Sequence, residues 1–376
     1  MPSTGDYLLI GAIAACVTFG ATPIVSRIAY AFGWLYQPTE RTVHTRAMPA
    51  IGGVAMFGGF VAAFATARLL DRFDQLFARN SEPRGILVAA AIIIAIGLLD
   101  DVKGTPPPAR VTAIVLAALA LVQWGVTMYY FRIPFVDTTP VLSDDWVPLI
   151  TVLWLLGMTQ AINLIDGLDG LAAGIVAIAG FAFFLYSQNL ADLGALTPPN
   201  FGPLVAIIAV GICVGFLPHN FNPARIIMGD SGALLLGLLM AVSTSVVGGR
   251  ADPNAEMQFG QTYFFLAPLA IPLLILGVPV LDTAFAIVRR AIERQGIDVA
   301  DKGHLHHRLM NLGHGHRRAV LILWAWTALL SAFVLYPTLA DDNPSYLPFG
   351  LGAIGIVLYT VLHPSVRRQR RANGNG

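Results

Sequence analysis

Runs of roughly 20 apolar residues, each long enough to cross about 30 Å of hydrocarbon, recur along the whole of this 376-residue chain. They fall near residues 7–29, 50–69, 85–99, 111–130, 147–165, 168–188, 201–220, 232–249, 262–288, 320–340 and 347–363, which makes about eleven spans. A soluble core could not hide that much apolar surface. Hydrophobic residues make up 56% of the chain and charged residues 12%, whereas a soluble domain is about a quarter charged. The runs are uninterrupted Leu, Ala, Ile and Val rather than alternating apolar and polar residues, which argues against a membrane barrel. Helices are then the only spanning structure that pairs every backbone N–H and C=O within its own segment. The expected fold is an all-α polytopic membrane protein, one integral-membrane domain over residues 1–376.

Two smaller readings follow from the same stretches. No Lys or Arg precedes the first run and no clear small-residue cleavage site follows it, so it reads as a retained span. Cys16 and Cys213 both lie within apolar runs, which makes a disulfide framework or a cysteine metal site improbable. The net charge of +1 offers no basis for nucleic-acid binding.

Orientation follows from Lys and Arg. With the N-terminus outside, the inner connections and the tail hold 17 of the 23 basic residues, leaving Arg68, Arg72, Arg79, Arg84, Arg132 and Arg250 outside. The positive-inside rule supports that arrangement. It makes the odd-numbered connections cytoplasmic, including a long basic, His-rich loop at 289–318, and it leaves a basic C-terminal tail at 364–376. The expected setting is the bacterial plasma (inner) membrane.

Every notable polar cluster falls in those odd-numbered connections. Asp100 and Asp101 end the third run after Ile96-Gly97-Leu98-Leu99. An ordinary solvated helix end explains them poorly, because carboxylates there face the negative end of the helix dipole. Adjacent carboxylates suit a metal, a cationic partner or a proton-accepting role. Asn163-Leu164-Ile165-Asp166-Gly167-Leu168-Asp169-Gly170 joins the fifth and sixth runs. A capped turn, with Gly167 ending one helix and Asp169 opening the next, accounts for Asp169. It leaves Asn163 and Asp166 unexplained, and oxygen ligands beside glycines fit a magnesium and nucleotide-phosphate site. Asn222 to Gly232 opens the eighth run, where Asp230 or Ser231 could serve as a plain N-cap or could hold a metal-bridged phosphate at a helix N-terminus.

Three further features are weaker alone. His304, His306, His307 and Arg308 sit in the basic loop, where the spacing and the Lys302 and Arg308 charges disfavour structural zinc. Binding of a sugar diphosphate is the better reading of those histidines, with a solvated basic loop against anionic lipid as the plain alternative. Arg41, His44, Arg46, Pro49, Gly52 and Gly53 lie in the first inner connection, and the glycines there suit close helix packing. Arg110, beyond Pro106-Pro107-Pro108, either snorkels to the interface or neutralises a phosphate.

Taken in order, the His44 to Gly53 stretch, the Asp100-Asp101 pair, Asn163 to Gly170, Met228-Gly229-Asp230-Ser231-Gly232 and His304-Leu305-His306-His307-Arg308 resemble the polyprenyl-phosphate N-acetylhexosamine-1-phosphate transferases. That superfamily also contains phospho-MurNAc-pentapeptide translocase. The His-Leu-His-His-Arg-Leu form, with Asp301-Lys302 before it and Asp282 and Arg289-Arg290 upstream, resembles the UDP-N-acetylglucosamine branch. The resemblance implies transfer of N-acetylglucosamine-1-phosphate from UDP-N-acetylglucosamine to an undecaprenyl or decaprenyl phosphate in the bilayer, releasing UMP. Magnesium is the implied cofactor, with manganese as its alternative, and a homodimer is compatible with it. By motif position Asp230 and Asn163 would hold the metal. Asp100 would orient or deprotonate the lipid phosphate, with Asp101 beside it. Asp166 and Asp169 would serve the metal surroundings and uridine. His304, His306, His307 and Arg308 would meet the sugar diphosphate, and His44 and Arg110 would add phosphate contacts. The chain departs from the family pattern after Asp101, where Val102-Lys103-Gly104 and three prolines intervene, so Arg110 is the phosphate candidate rather than Lys103.

The competing readings are another UDP-N-acetylhexosamine or a phospho-MurNAc-pentapeptide donor, an ion-coupled secondary transporter, and a non-catalytic lipid-binding scaffold. Transporter sites lie near the bilayer midplane between repeats, whereas these acids lie at span ends on one face.

Overall fold

The computed structural model describes residues 2–37, 46–78, 80–128, 143, 145–194, 196, 198–248, 309–310, 312–339 and 345–364. The described helices are α1 (Thr4–Phe32), α2 (Gly52–Leu69), a short α3 (Asp74–Phe77), α4 (Glu82–Lys103), α5 (Pro107–Gln123), α6 (Trp146–Ile165), α7 (Leu171–Asp192), α8 (Gly202–Asn220), α9 (Gly229–Gly248), α10 (His316–Leu339) and α11 (Leu347–Leu362). Among them eight are long and apolar enough to cross a membrane, and α5 and α11 are shorter apolar helices. These ten coincide with ten of the eleven expected spans. The expected span at 262–288 lies outside the described residues.

Local signals set the helix ends that matter. Ser3 and Asp6 form a reciprocal capping box at the start of α1, satisfying two N–H groups that a helix start leaves unpaired. Gly104, at φ +71°, stops α4 with its N–H on Asp100 C=O at 2.8 Å. Pro107 and Pro108 then open α5, where a missing N–H costs nothing. The three-residue link between them lays the start of α5 beside the end of α4. Because α4 continues to Lys103, Asp100 and Asp101 belong to its last turn, one turn later than the apolar run alone indicates.

Helix α9 is the hub. In its most apolar 18-residue window 94% of residues are buried, against 33% for α1 and α4. It packs on α2, α4, α6 and α8. Lipid is as apolar as these side chains, so association rests on close packing of small residues. Gly237 of α9 lies directly on Thr159 of α6, and Gly211 and Gly215 of α8 lie on Gly11 and Ala15 of α1. Helix α11 has no buried residue and packs on α10.

One small sheet closes the connection between α1 and α2. Leu35–Tyr36 (β1) and Met48–Pro49 (β2) pair antiparallel, with Leu35 opposite Pro49. The pairing fixes both ends of the connection that carries His44, which itself lies outside the described residues.

Candidate active site

The site is assembled around the N-terminus of α9. That terminus carries four unpaired backbone N–H groups and the positive end of the helix dipole. Asp101 supplies the anion: its carboxylate accepts Asp230 N–H at 2.7 Å, Ser231 N–H at 3.1 Å and Ser231 Oγ–H at 2.6 Å. Asp101 is thus a cap supplied by another helix, and what it positions is Asp230.

Glycines make the approach possible. Gly97, one turn before Asp101 on the same face of α4, lies on Ser231, and a Cβ there would overlap the Ser231 backbone. Gly53 of α2 lies against Ser231 and Gly232 in the same way. Gly229 has φ +74°, and a Cβ on it would meet Ala50 C=O and the Asp101 carboxylate. The segment before α2 completes the seat: Ile227 N–H donates to Pro49 C=O at 2.8 Å, Gly52 N–H to Ile227 C=O at 3.1 Å and Gly53 N–H to Met228 C=O at 2.9 Å. The expected packing role of Gly52 and Gly53 is therefore realised against the α8–α9 connection.

Asp230, held in that first turn, meets three other helices. Its Oδ1 accepts from Asn163 Nδ2 of α6 at 2.9 Å, and its Oδ2 accepts from an Arg110 guanidinium nitrogen of α5 at 2.5 Å. The second Arg110 terminal nitrogen lies 3.5 Å from Asp100 Oδ2 of α4. Asp100 Oδ1 accepts from Thr105 N–H at 2.6 Å and from the Thr105 hydroxyl. Successive residues on a helix point about 100° apart. That geometry lets Asp101 turn inward to α9 while Asp100 turns toward Arg110. The side chains of Arg110 and Asp230 retain 23% and 26% exposure, so the cluster stays reachable from outside the bundle.

The α6–α7 turn adds two carboxylates with different fates. Asp169 is buried, and its Oδ2 accepts from Asn222 Nδ2 at 2.9 Å and Ala224 N–H at 3.1 Å. It does not cap α7: that helix starts at Leu171 after Gly170 at φ +76°, and Gly167 is absent from the left-handed glycines. The carboxylate instead ties the turn to the α8–α9 connection, whose backbone N–H groups needed a partner. Asp166 ends α6 and is half-buried. Burial first, then the charges of Asp230, Asp101 and Asp169, push its carboxyl up to about 7.

The Asp166 environment has a measurable sign. A folded-state carboxyl raised above its unfolded value binds its proton preferentially in the native protein, so its contribution to stability is full in acid and is lost as pH rises from about 4 through about 7. Asp166→Asn is expected to raise the unfolding temperature of the ligand-free protein at pH 8 and leave it little changed at pH 4. Thermal scans in detergent at both pH values check this, and an equal shift at both would contradict it.

Among the described residues no group of three or more His, Cys, Asp or Glu side chains is arranged to hold a metal ion. The hard oxygens present still fit magnesium, which takes one or two carboxylates and completes its octahedron with water and substrate phosphate. Asp230 and Asp100 offer the carboxylates, and a half-turn of the Asn163 amide would offer its oxygen beside them.

Asp100, Asp101, Arg110, Asn163, Asp166, Asp169 and Asp230 are therefore brought to one end of the bundle. His44, His304, His306, His307 and Arg308 lie outside the described residues. The sequence reading missed Thr105, Asn220, His316 and Arg317. Arg317 Nε–H donates to Asn222 C=O at 2.8 Å, and His316 meets the Asp169 backbone. The same parity argument that gathered the acids applies to His316 and Arg317, since both open a span on the site side.

Carboxylates from several membrane-spanning helices, gathered around one arginine at one end of the bundle, make up the candidate site of a polytopic membrane protein. Residues 84–248, the stretch from α4 through α9 that carries all seven of these side chains, match the family described as glycosyl transferase family 4. The chain is 36% identical to a decaprenyl-phosphate N-acetylglucosaminephosphotransferase of Mycobacterium tuberculosis, over 96% of this chain and 90% of that protein. It is 37% identical to a probable undecaprenyl-phosphate N-acetylglucosaminyl 1-phosphate transferase of Bacillus subtilis, over 84% of this chain and 80% of that one. A phospho-N-acetylmuramoyl-pentapeptide-transferase of Chlorobium limicola is 28% identical, over 86% and 91%. The chain belongs to glycosyl transferase family 4.

Proposed function

We propose that this protein transfers N-acetylglucosamine-1-phosphate from UDP-N-acetylglucosamine to a polyprenyl phosphate, with magnesium, at the cytoplasmic face of the bacterial inner membrane. The observation that carries the reading is the meeting of Asp100, Arg110, Asn163 and Asp230 from four helices at one bundle end. A lipid phosphate is held at the membrane surface and a nucleotide sugar is water-soluble, so the two can meet only where spans end. The acids of this chain lie there, which also counts against a midplane transporter site.

The transfer exchanges one phosphoanhydride for another. An oxygen of the lipid phosphate attacks the sugar-bearing phosphorus of the donor, the bond to the uridylyl phosphate breaks, and UMP leaves with the bridging oxygen. Positioning and charge neutralisation supply most of the rate in such reactions. Magnesium held by Asp230 and Asn163 would neutralise the diphosphate. Arg110, which bridges Asp100 and Asp230, has the planar two-pronged donor that would meet a phosphate if a cation at Asp230 replaced it there. Asp100, which faces Arg110, would orient the lipid phosphate through that guanidinium or a shared cation, since two anions do not hold each other directly. A phosphate monoester has its second pKa near 6, so it needs little help to ionise, and orientation is the larger demand. Asp166 serves the nucleotide end of the donor, and the buried Asp169 supports it by tying the turn to the α8–α9 connection.

The test is release of UMP by the purified protein given undecaprenyl phosphate and one donor at a time. UDP-N-acetylglucosamine with magnesium is expected to support turnover and UDP-MurNAc-pentapeptide is not. Preference for the pentapeptide donor would move the chain to the other branch, and uptake of sodium or protons without UMP release would overturn the enzyme reading.

A further inference from the structure

The turn between α6 and α7 is held along three consecutive residues by side chains from two other helices. Asp169 N–H donates to His316 Nε2 of α10 at 2.8 Å, Gly170 N–H donates to Asn220 Oδ1 of α8 at 2.9 Å, and Leu171 C=O accepts from Trp324 Nε1 of α10 at 3.4 Å. Asn220 is itself fixed by donating Nδ2–H to Ile226 C=O at 3.0 Å. Trp324 reaches the turn because Gly174 leaves room for its indole on α7. Free turns of five residues are normally satisfied by water. This one is clamped from outside.

His316, the first residue of α10, is the titratable member of that clamp. Its side chain is only 11% exposed, and its Nε2 also lies 3.9 Å from Asp169 Oδ2. A backbone N–H can only donate, so the ring accepts through Nε2 and carries its proton on Nδ1. An aliphatic side chain at position 316 would remove the acceptor that the Asp169 N–H uses here. The neighbouring Arg317, on Asn222 C=O, draws the α8–α9 connection toward the same helix start. One turn of α10 therefore grips both the turn that carries Asp166 and Asp169 and the connection that leads into Asp230.

We propose that His316 is a positioning residue for the donor: by accepting the Asp169 N–H it fixes the Asp166–Gly170 turn, and with it the Asp166 carboxylate, where they meet the nucleotide end of the nucleotide sugar. This rests on the donor reading given above. His316 touches neither substrate. It acts through the backbone of the turn, so its loss weakens nucleotide binding and spares the lipid phosphate, which approaches from Asp100.

Kinetics of the parent, His316→Leu and His316→Gln in detergent separate the possibilities. His316→Leu is expected to raise the KM for UDP-N-acetylglucosamine roughly tenfold, the worth of one buried hydrogen bond, with the KM for undecaprenyl phosphate unchanged. His316→Gln, whose amide oxygen can accept the same N–H without titrating, is expected to restore the donor KM. Calorimetric binding of UMP to the same three proteins reads the position of the turn without any transfer. A failed donor assignment would therefore not mask a failed role for His316. Parental donor KM and UMP affinity in His316→Leu would overturn the proposal. So would a parallel rise in both KM values with a lowered unfolding temperature, or a glutamine variant no better than leucine.

Discussion

Asp230→Asn is expected to lower transfer by on the order of a thousandfold while the protein still elutes as a folded species in detergent. The substitution keeps the shape of the side chain and its contact with Asn163 Nδ2, so packing gives no reason for collapse. What it removes is the charge that faces Arg110 and that would hold a cation on the donor diphosphate. Asp101, two hydrogen bonds to the backbone away, keeps the start of α9 in place. UMP release beside size-exclusion elution checks both halves. Turnover within tenfold of the parent would mean that the carboxylate at this position does not meet the reacting diphosphate.

Gly229→Ala is expected to be nearly as damaging to activity, for a different reason. The residue sits at φ +74°, where an L side chain costs about 1–2 kcal/mol from the backbone alone. The added methyl also meets the Ala50 carbonyl and the Asp101 carboxylate. Three contacts converge there, so relief requires the start of α9 to move away from α4 and α2. Because Asp230 is the next residue, a shift of about 1 Å would cost on the order of a hundredfold in rate. Gly20→Ala in α1, where no atom lies near the new methyl, serves as the control. Activity assays with unfolding temperatures for both variants check this, and equal behaviour of the two would show that the glycine contacts do not set the site.

The spans were legible because a helix in lipid needs a long apolar run and little else: ten of the eleven expected runs coincide with described helices. The site was legible in outline because polar residues at span ends cannot be explained by burial, and parity placed Asp100, Asp166 and Asp230 on one side. Roles within the site were harder to read. Asp100 and Asp101 are adjacent in sequence and look like a pair, yet the helical turn sends one to Arg110 and the other to cap α9. Asp169 looked like a local cap because capping is the commonest short-range use of such a residue. Its actual partners are 53 and 55 residues away, and sequence patterns carry no trace of that distance. His316 was missed for the same reason. Its partner is one backbone N–H on a different helix, a contact with no periodicity to reveal it. The histidine motif at 304–307 and His44 belong to the resemblance alone.

Short-range thiol cross-linking tests most directly whether separate helices bring their polar ends together. In a background with Cys16→Ser and Cys213→Ser, the pair Asn163→Cys and Asp230→Cys, 67 residues apart in sequence and joined here by a 2.9 Å hydrogen bond between side-chain tips, is expected to be bridged in membranes by a short bifunctional thiol reagent, which spans the gap that the shorter cysteine side chains leave. Asp6→Cys with Asp230→Cys, at the two ends of the bundle, is expected to stay unbridged. Cross-linking of the second pair, or none of the first, would contradict a carboxylate site built at one end of this bundle.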